Sequence, residues 1–189
     1  EPDDAIFRYW RGEAYSEISR FDEAILDYDK AIHIDPDDAY YRYSRGVAYA
    51  EKREFDKAID NYDKAISLDP DYAYYRYFRG VAYAEKREFD KAIDNYDKAI
   101  SLEPDDANFR YSRGLAYAEN GEFDKAIESY DKAISLEPGD TLSWARRGVA
   151  LAEKGEFDKA IDNYDEAIRL DPGAPFFWYR GNAYANKGE

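Results

Sequence analysis

The sequence predicts an all-α protein, an α-solenoid of antiparallel helix pairs, on three observations. One stretch recurs: FDEAILDYDKAIHIDP at 21–36, FDKAIDNYDKAISLDP at 55–70, FDKAIDNYDKAISLEP at 89–104, FDKAIESYDKAISLEP at 123–138 and FDKAIDNYDEAIRLDP at 157–172. Its copies close on Pro36, Pro70, Pro104, Pro138 and Pro172, and so fixed a period, about 34 residues, marks a repeat array. Within a copy, Phe55, Ala58, Ile59, Tyr62, Ala65 and Ile66 step by three and four, which is one apolar helical stripe. A turn at the closing proline then punctuates every copy, Pro-Asp after the first three and Pro-Gly after the last two.

Element by element, the repeats run over about 5–38, 39–72, 73–106, 107–140 and 141–174, with a closing helix at 175–188, in a single array over 1–189. The first half of a repeat, AYYRYSRGVAYAEK at 39–52, is helix-forming material entered through Asp37 or Asp38, whose carboxylate can cap free N–H groups. Gly121 and Gly155 stand between the two halves, where a left-handed cap suits glycine. Arg53 and Arg87 hold that place in repeats 2 and 3, at roughly 1 kcal/mol each if they take the same conformation. The second half spans 54–68 and ends at Pro70, which has no N–H to give. Gly46, Ala48, Ala58 and Ala65 are small where two helices must approach; Tyr49, Phe55, Ile59 and Tyr62 fill the space between.

With Gly46, Tyr49, Ala58, Tyr62 and Pro70, and again Gly80, Tyr83, Ala92, Tyr96 and Pro104, the chain resembles the tetratricopeptide repeat family. The resemblance covers five full repeats and the first helix of a sixth, eleven helices in all, and implies a right-handed superhelix whose first helices line a concave groove. Three departures stand out. The usual Trp is Arg8, Arg42, Arg76 and Arg110 before returning as Trp144, and the usual Leu is Arg, as in Arg45 and Arg79. Leu151 replaces a Tyr, and the turn from Pro172 to Gly181 is one residue shorter than its counterpart.

Composition narrows function. A formal net charge of -15 disfavours nucleic acid and anionic membrane surfaces, which offer no cations to pair with excess carboxylates. Cysteine is absent, removing disulfides and thiolate chemistry, and no apolar run is long enough to span a bilayer. The chain holds no Met and opens inside a repeat, so it reads as a piece of a longer protein, with a cytoplasmic setting as the default. The lone His33 sits near a helix C-terminus, which favours a cation and accounts for it without catalysis. Carboxylates such as Asp60 and Asp63 lie among lysines, as solvated helix partners do, and no phosphate loop or His/Cys metal spacing occurs. No enzyme, cofactor or metal is therefore expected.

Binding is the remaining class. By the family resemblance the groove positions are Tyr9 and Glu13 in repeat 1; Tyr40, Tyr43, Val47, Ala50 and Glu51 in repeat 2; and Tyr74, Tyr77, Val81, Ala84 and Glu85 in repeat 3. Repeat 4 supplies Asn108, Tyr111, Leu115, Ala118 and Glu119. Chaperone-binding members grip a terminal carboxylate with Lys, Asn and Arg; here Tyr9, Glu13, Ser44, Tyr74 and Phe78 take those places, so that clamp is not expected. The expected ligand is a protein or peptide segment with apolar anchors and some positive charge, resting on tyrosines beside glutamates. The alternative is end-to-end self-association, a homo-oligomer formed through Ile6, Phe7 and Trp10 at one end and Phe176, Phe177 and Trp178 at the other.

Overall fold

The structure is a computed structural model describing residues 4–188, with eleven α-helices and, among the described residues, no strand. They fall into two compact units, one running to Leu102 and one starting at Glu103. The first holds α1 (Ala5–Glu17), α2 (Phe21–Ile34), α3 (Ala39–Glu51), α4 (Phe55–Leu68), α5 (Ala73–Glu85) and α6 (Phe89–Leu102). The second holds α7 (Ala107–Glu119), α8 (Phe123–Leu136), α9 (Thr141–Glu153), α10 (Phe157–Leu170) and α11 (Phe176–Lys187). Short turns join the partners of each pair, which makes them antiparallel hairpins.

The expected local signals operate as chemistry requires. Asp38 accepts from the N–H groups of Tyr40 and Tyr41 at the start of α3, and Asp4, Asp106 and Asp140 cap α1, α7 and α9. At α5 the cap position is Tyr72, whose side chain makes no capping bond. Gly121 and Gly155 have φ of 78° and 77°, and Ser19, Arg53 and Arg87 hold the same left-handed turn at 60°.

Each pair is locked by a tyrosine of its second helix resting on a glycine of its first. A Cβ on Gly46 would lie 2.7 Å from the ring of Tyr62, which is 1% exposed. Gly12 and Tyr28, Gly80 and Tyr96, Gly114 and Tyr130, and Gly148 and Tyr164 repeat the arrangement.

The arginines that depart from the family pattern have structural work. Arg45 donates from Nε to Asn61 of its own pair at 2.8 Å and ion-pairs with Asp29 of the preceding pair. In the same unit Arg79 joins Asn95 and Asp63, and in the second unit Arg147 joins Asn163 and Asp131. In α1, Arg11 grips buried Asp27 with two bonds of 2.6 Å, and this hydrogen-bonded guanidinium holds the carboxyl below its usual range. Where the family has Trp, Arg42 donates to the Pro36 carbonyl at 2.7 Å, just as the Trp144 indole donates to Pro138 at 3.0 Å. The guanidinium thus supplies the same N–H that the indole would.

A second set of inter-pair ties uses lysine. Lys52 reaches Asp22 at 2.6 Å and Glu54 at 2.8 Å, and Lys86 and Lys154 do the same with Asp56 and Glu88 and with Asp124 and Glu156. Lys187 meets Asp158 at 2.8 Å despite the shortened last turn.

Candidate functional site

In the first unit α3, which carries expected site residues, touches both α1 and α5, which carry others. Their accessibility differs sharply. Tyr40 is 43% exposed and Glu51 and Glu85 are exposed, whereas Glu13, Tyr43, Val47, Ala50, Tyr74, Tyr77, Val81 and Ala84 are half-buried and Tyr9 is buried. Tyr9 stacks on Tyr41 at 5.2 Å and has Ser44 and Glu13 beside its hydroxyl; burial first, then Glu13, pushes its pKa up. Tyr43 packs against Tyr62, Tyr75 and Phe78, at 6.2, 5.4 and 5.4 Å, and its burial raises its pKa too. The tyrosines on these first helices therefore hold helix pairs together as well as forming a surface.

Tyr40 joins this network at its edge, 5.8 Å from Tyr9 and 5.4 Å from Tyr43, with its remaining face open. The glutamates are not equivalent. Glu13 accepts from the Tyr28 hydroxyl, Glu85 pairs with Arg53 at 3.5 Å, and Glu51 makes no ion pair among the described residues. What results is an aromatic and aliphatic floor bordered by Glu51, suited to apolar contact and to a nearby cation.

In the second unit Asn108 and Glu119 are exposed, and Tyr111 and Leu115 are half-buried against Tyr130. A cavity of about 250 Å³ lies between α9 and α11, with Leu142, Val149, Phe176 and Tyr179 in its wall and Arg146 beside them. Sequence reasoning did not single out this place, although a cation among apolar residues on a first helix was a visible signal.

At the terminal helices Ile6, Phe7 and Trp10 are 59%, 48% and 63% exposed, and Phe177 and Trp178 are 49% and 66% exposed. Phe176 is a correction: it is 6% exposed, packed with Ala145 and Ala167, because it occupies the inward-facing position at the start of α11. It is not part of an exposed end. No helix of the described residues is long and apolar enough to cross a membrane.

Comparison with known families now adds to this geometry. A family model described as Tetratricopeptide repeat matches residues 43–107, 80–141, 111–175 and 146–189, and a second, TPR repeat, matches 17–53. The chain belongs to the tetratricopeptide repeat family. Tetratricopeptide repeat proteins are protein-interaction scaffolds, generally without enzymatic activity. A crystal structure of MamA is 32% identical, with a TM-score of 0.80 over 85% of this chain and 94% of its own. YrrB, described as a TPR protein with an unusual peptide-binding site, is 24% identical with a TM-score of 0.78, over 96% of this chain and 94% of its own. MamA from Desulfovibrio magneticus RS-1 is 21% identical with a TM-score of 0.84, over 92% of this chain and 98% of its own. At those identities the last two likenesses speak to the tetratricopeptide fold alone. A search of curated proteins gave no match.

Proposed function

We propose that this tetratricopeptide scaffold is non-enzymatic and docks an extended or helical segment of a partner protein, carrying apolar anchors and positive charge, on its first helices. The observation that carries the reading is α3 itself, with the open ring of Tyr40 in its first turn, half-buried Val47 farther along and the carboxylate of Glu51, unpaired among the described residues, at its end, in a chain of net charge -15. Tyr74, Tyr77, Val81 and Glu85 extend the surface on α5, and Asn108, Tyr111, Leu115 and Glu119 offer the corresponding one on α7. Tyr9 and Glu13 support the floor. A peptide alternating lysine and leucine tests it by fluorescence anisotropy. Tyr40→Ala with Glu51→Gln is expected to weaken its binding at least fivefold, about 1 kcal/mol; unchanged affinity removes this surface from consideration.

A second reading, end-to-end self-association, draws on the exposed Ile6, Phe7 and Trp10 and on Phe177 and Trp178. Two unlike ends that meet make a heterologous contact, which propagates rather than closing. Light scattering over a concentration series tests it, with growth in mass expected on this reading and a strictly monomeric species at high concentration against it.

A further inference from the structure

We propose that the cavity between α9 and α11 is a second docking pocket, for an acidic–aliphatic segment of a partner protein. An aliphatic side chain enters the cavity, and the neighbouring side-chain carboxylate meets Arg146. The inference rests on the scaffold role proposed above but uses a different cavity and the opposite charge preference.

Arg146 carries the argument. It is exposed at the cavity wall and has no hydrogen bond, ion pair or ring contact among the described residues. Every other arginine has at least one. In a chain with 42 Asp and Glu against 27 Lys and Arg, a guanidinium left without a carboxylate is out of keeping with its surroundings. Nor does the repeat supply a structural reason for it, since the same place holds Trp10, Ser44, Phe78 and Ser112 in the other repeats. It belongs to neither the arginine nor the lysine ties.

The surroundings specify the ligand. Leu142, itself 49% exposed, with Ala145, Val149, Phe176 and Tyr179 makes an apolar wall around about 250 Å³, space for one branched side chain. The one carboxylate in the wall, Asp171, is engaged in accepting the Gly173 N–H at 3.0 Å. On α8 the buried Tyr130 hydroxyl has no hydrogen-bonding partner among the described residues, and Arg146 is close enough for its charge to oppose the rise that burial causes in that tyrosine's pKa. Among the described residues Arg146 is the single cation in the cavity wall. A guanidinium fork matches one carboxylate with two parallel bonds, and beside an apolar wall that charge-assisted pairing is strengthened.

The test is fluorescence anisotropy of the full chain with a labelled, end-capped peptide alternating leucine and aspartate. Controls replace leucine by serine, replace aspartate by lysine, or keep leucine and serine with only a free C-terminal carboxylate. The leucine–aspartate peptide is expected to bind best of the acidic probes. Arg146→Ala should weaken it about tenfold and Leu142→Asp at least as much, while the lysine–leucine peptide is unaffected by Arg146→Ala. Since Arg146 makes no bond or ion pair, its variant keeps the fold, which circular dichroism checks. The proposal is overturned if the leucine–aspartate peptide fails to bind, binds no better than serine–aspartate, or is indifferent to Arg146→Ala. Equal binding of the free-carboxylate control would also overturn it, pointing to chain ends instead. Loss of the lysine–leucine interaction alone would remove the earlier reading and leave this one standing.

Discussion

At the residue scale, the pair-locking tyrosines give predictions of opposite sign. The Tyr28 hydroxyl donates to Glu13, whereas the Tyr130 hydroxyl is buried without a partner among the described residues, beside Leu115, the residue that stands in place of Glu13 three helix pairs on. Tyr28→Phe should therefore cost about 1.5–3 kcal/mol, the worth of a hydrogen bond to a charged group, while Tyr130→Phe should gain about 1 kcal/mol by removing an uncompensated polar atom. Denaturant midpoints measure both, and loss of stability in Tyr130→Phe would show that its hydroxyl is satisfied. Gly46→Ala puts a methyl into the Tyr62 ring, which has no room to retreat, and should destabilise by about 1–3 kcal/mol. The glycine–tyrosine match was legible because its spacing repeats in every copy. The roles of Arg45 and Arg42 were not: their partners, Asp29 and the Pro36 carbonyl, lie in a neighbouring helix and turn that only the folded chain brings close.

At the scale of single elements, the turns between paired helices separate a legible cost from a hidden compensation. Glycine at 121 and 155 revealed the left-handed turn, and Arg53 was correctly expected to bear its strain; Ser19 bears it as well. Ser19→Gly should stabilise by about 0.5–1 kcal/mol, and Arg53→Gly by less. The difference arises because the Arg53 guanidinium lies 5.3 Å over the Phe55 ring and pairs with Glu85, contacts that glycine forfeits. Thermal midpoints of the two variants give the order directly. The closing helix shows the limit of periodic reading: three adjacent aromatics look equally exposed in sequence, but the helical turn sends Phe176 inward and leaves Phe177 and Trp178 outside.

For the whole molecule, charge sets the response to pH and salt. Hydrogen bonds from Lys52 and Lys57 hold Glu54 at about 2, and those from Lys154 and Lys159 hold Glu156 at about 2. Carboxyls depressed in the folded state contribute stability above their unfolded value near 4.5 and lose it as pH falls toward 2. Burial, chiefly, pushes Tyr164 up to about 12, so its contribution is complete below pH 10 and is lost as pH rises through 12. Thermal midpoints should fall on both flanks, and tyrosinate absorbance should show a late-titrating class. At pH 7 added salt should raise the midpoint: screening relieves the repulsion within a chain of net charge -15, whereas the exposed pairs it weakens contribute little each. A lower midpoint in salt would mean that the inter-pair ties outweigh that repulsion. The family fold was legible throughout, since each helix declares itself by local period and punctuation. The docking surfaces were legible only in outline, because accessibility depends on which rings neighbouring helices consume.

The ties between pairs also give the chain a grammar of its own. Arg45 and Lys52 both reach back to the preceding pair, as do Arg79 and Lys86 in the same unit and Arg147 and Lys154 in the other. These three junctions are thus written in one direction with the same words, a cation from the newcomer answered by an aspartate already in place. A copy of any of these cation-bearing pairs, set in frame behind such an aspartate, meets a matching junction, so a unit can lengthen by gene duplication without that interface having to be invented anew.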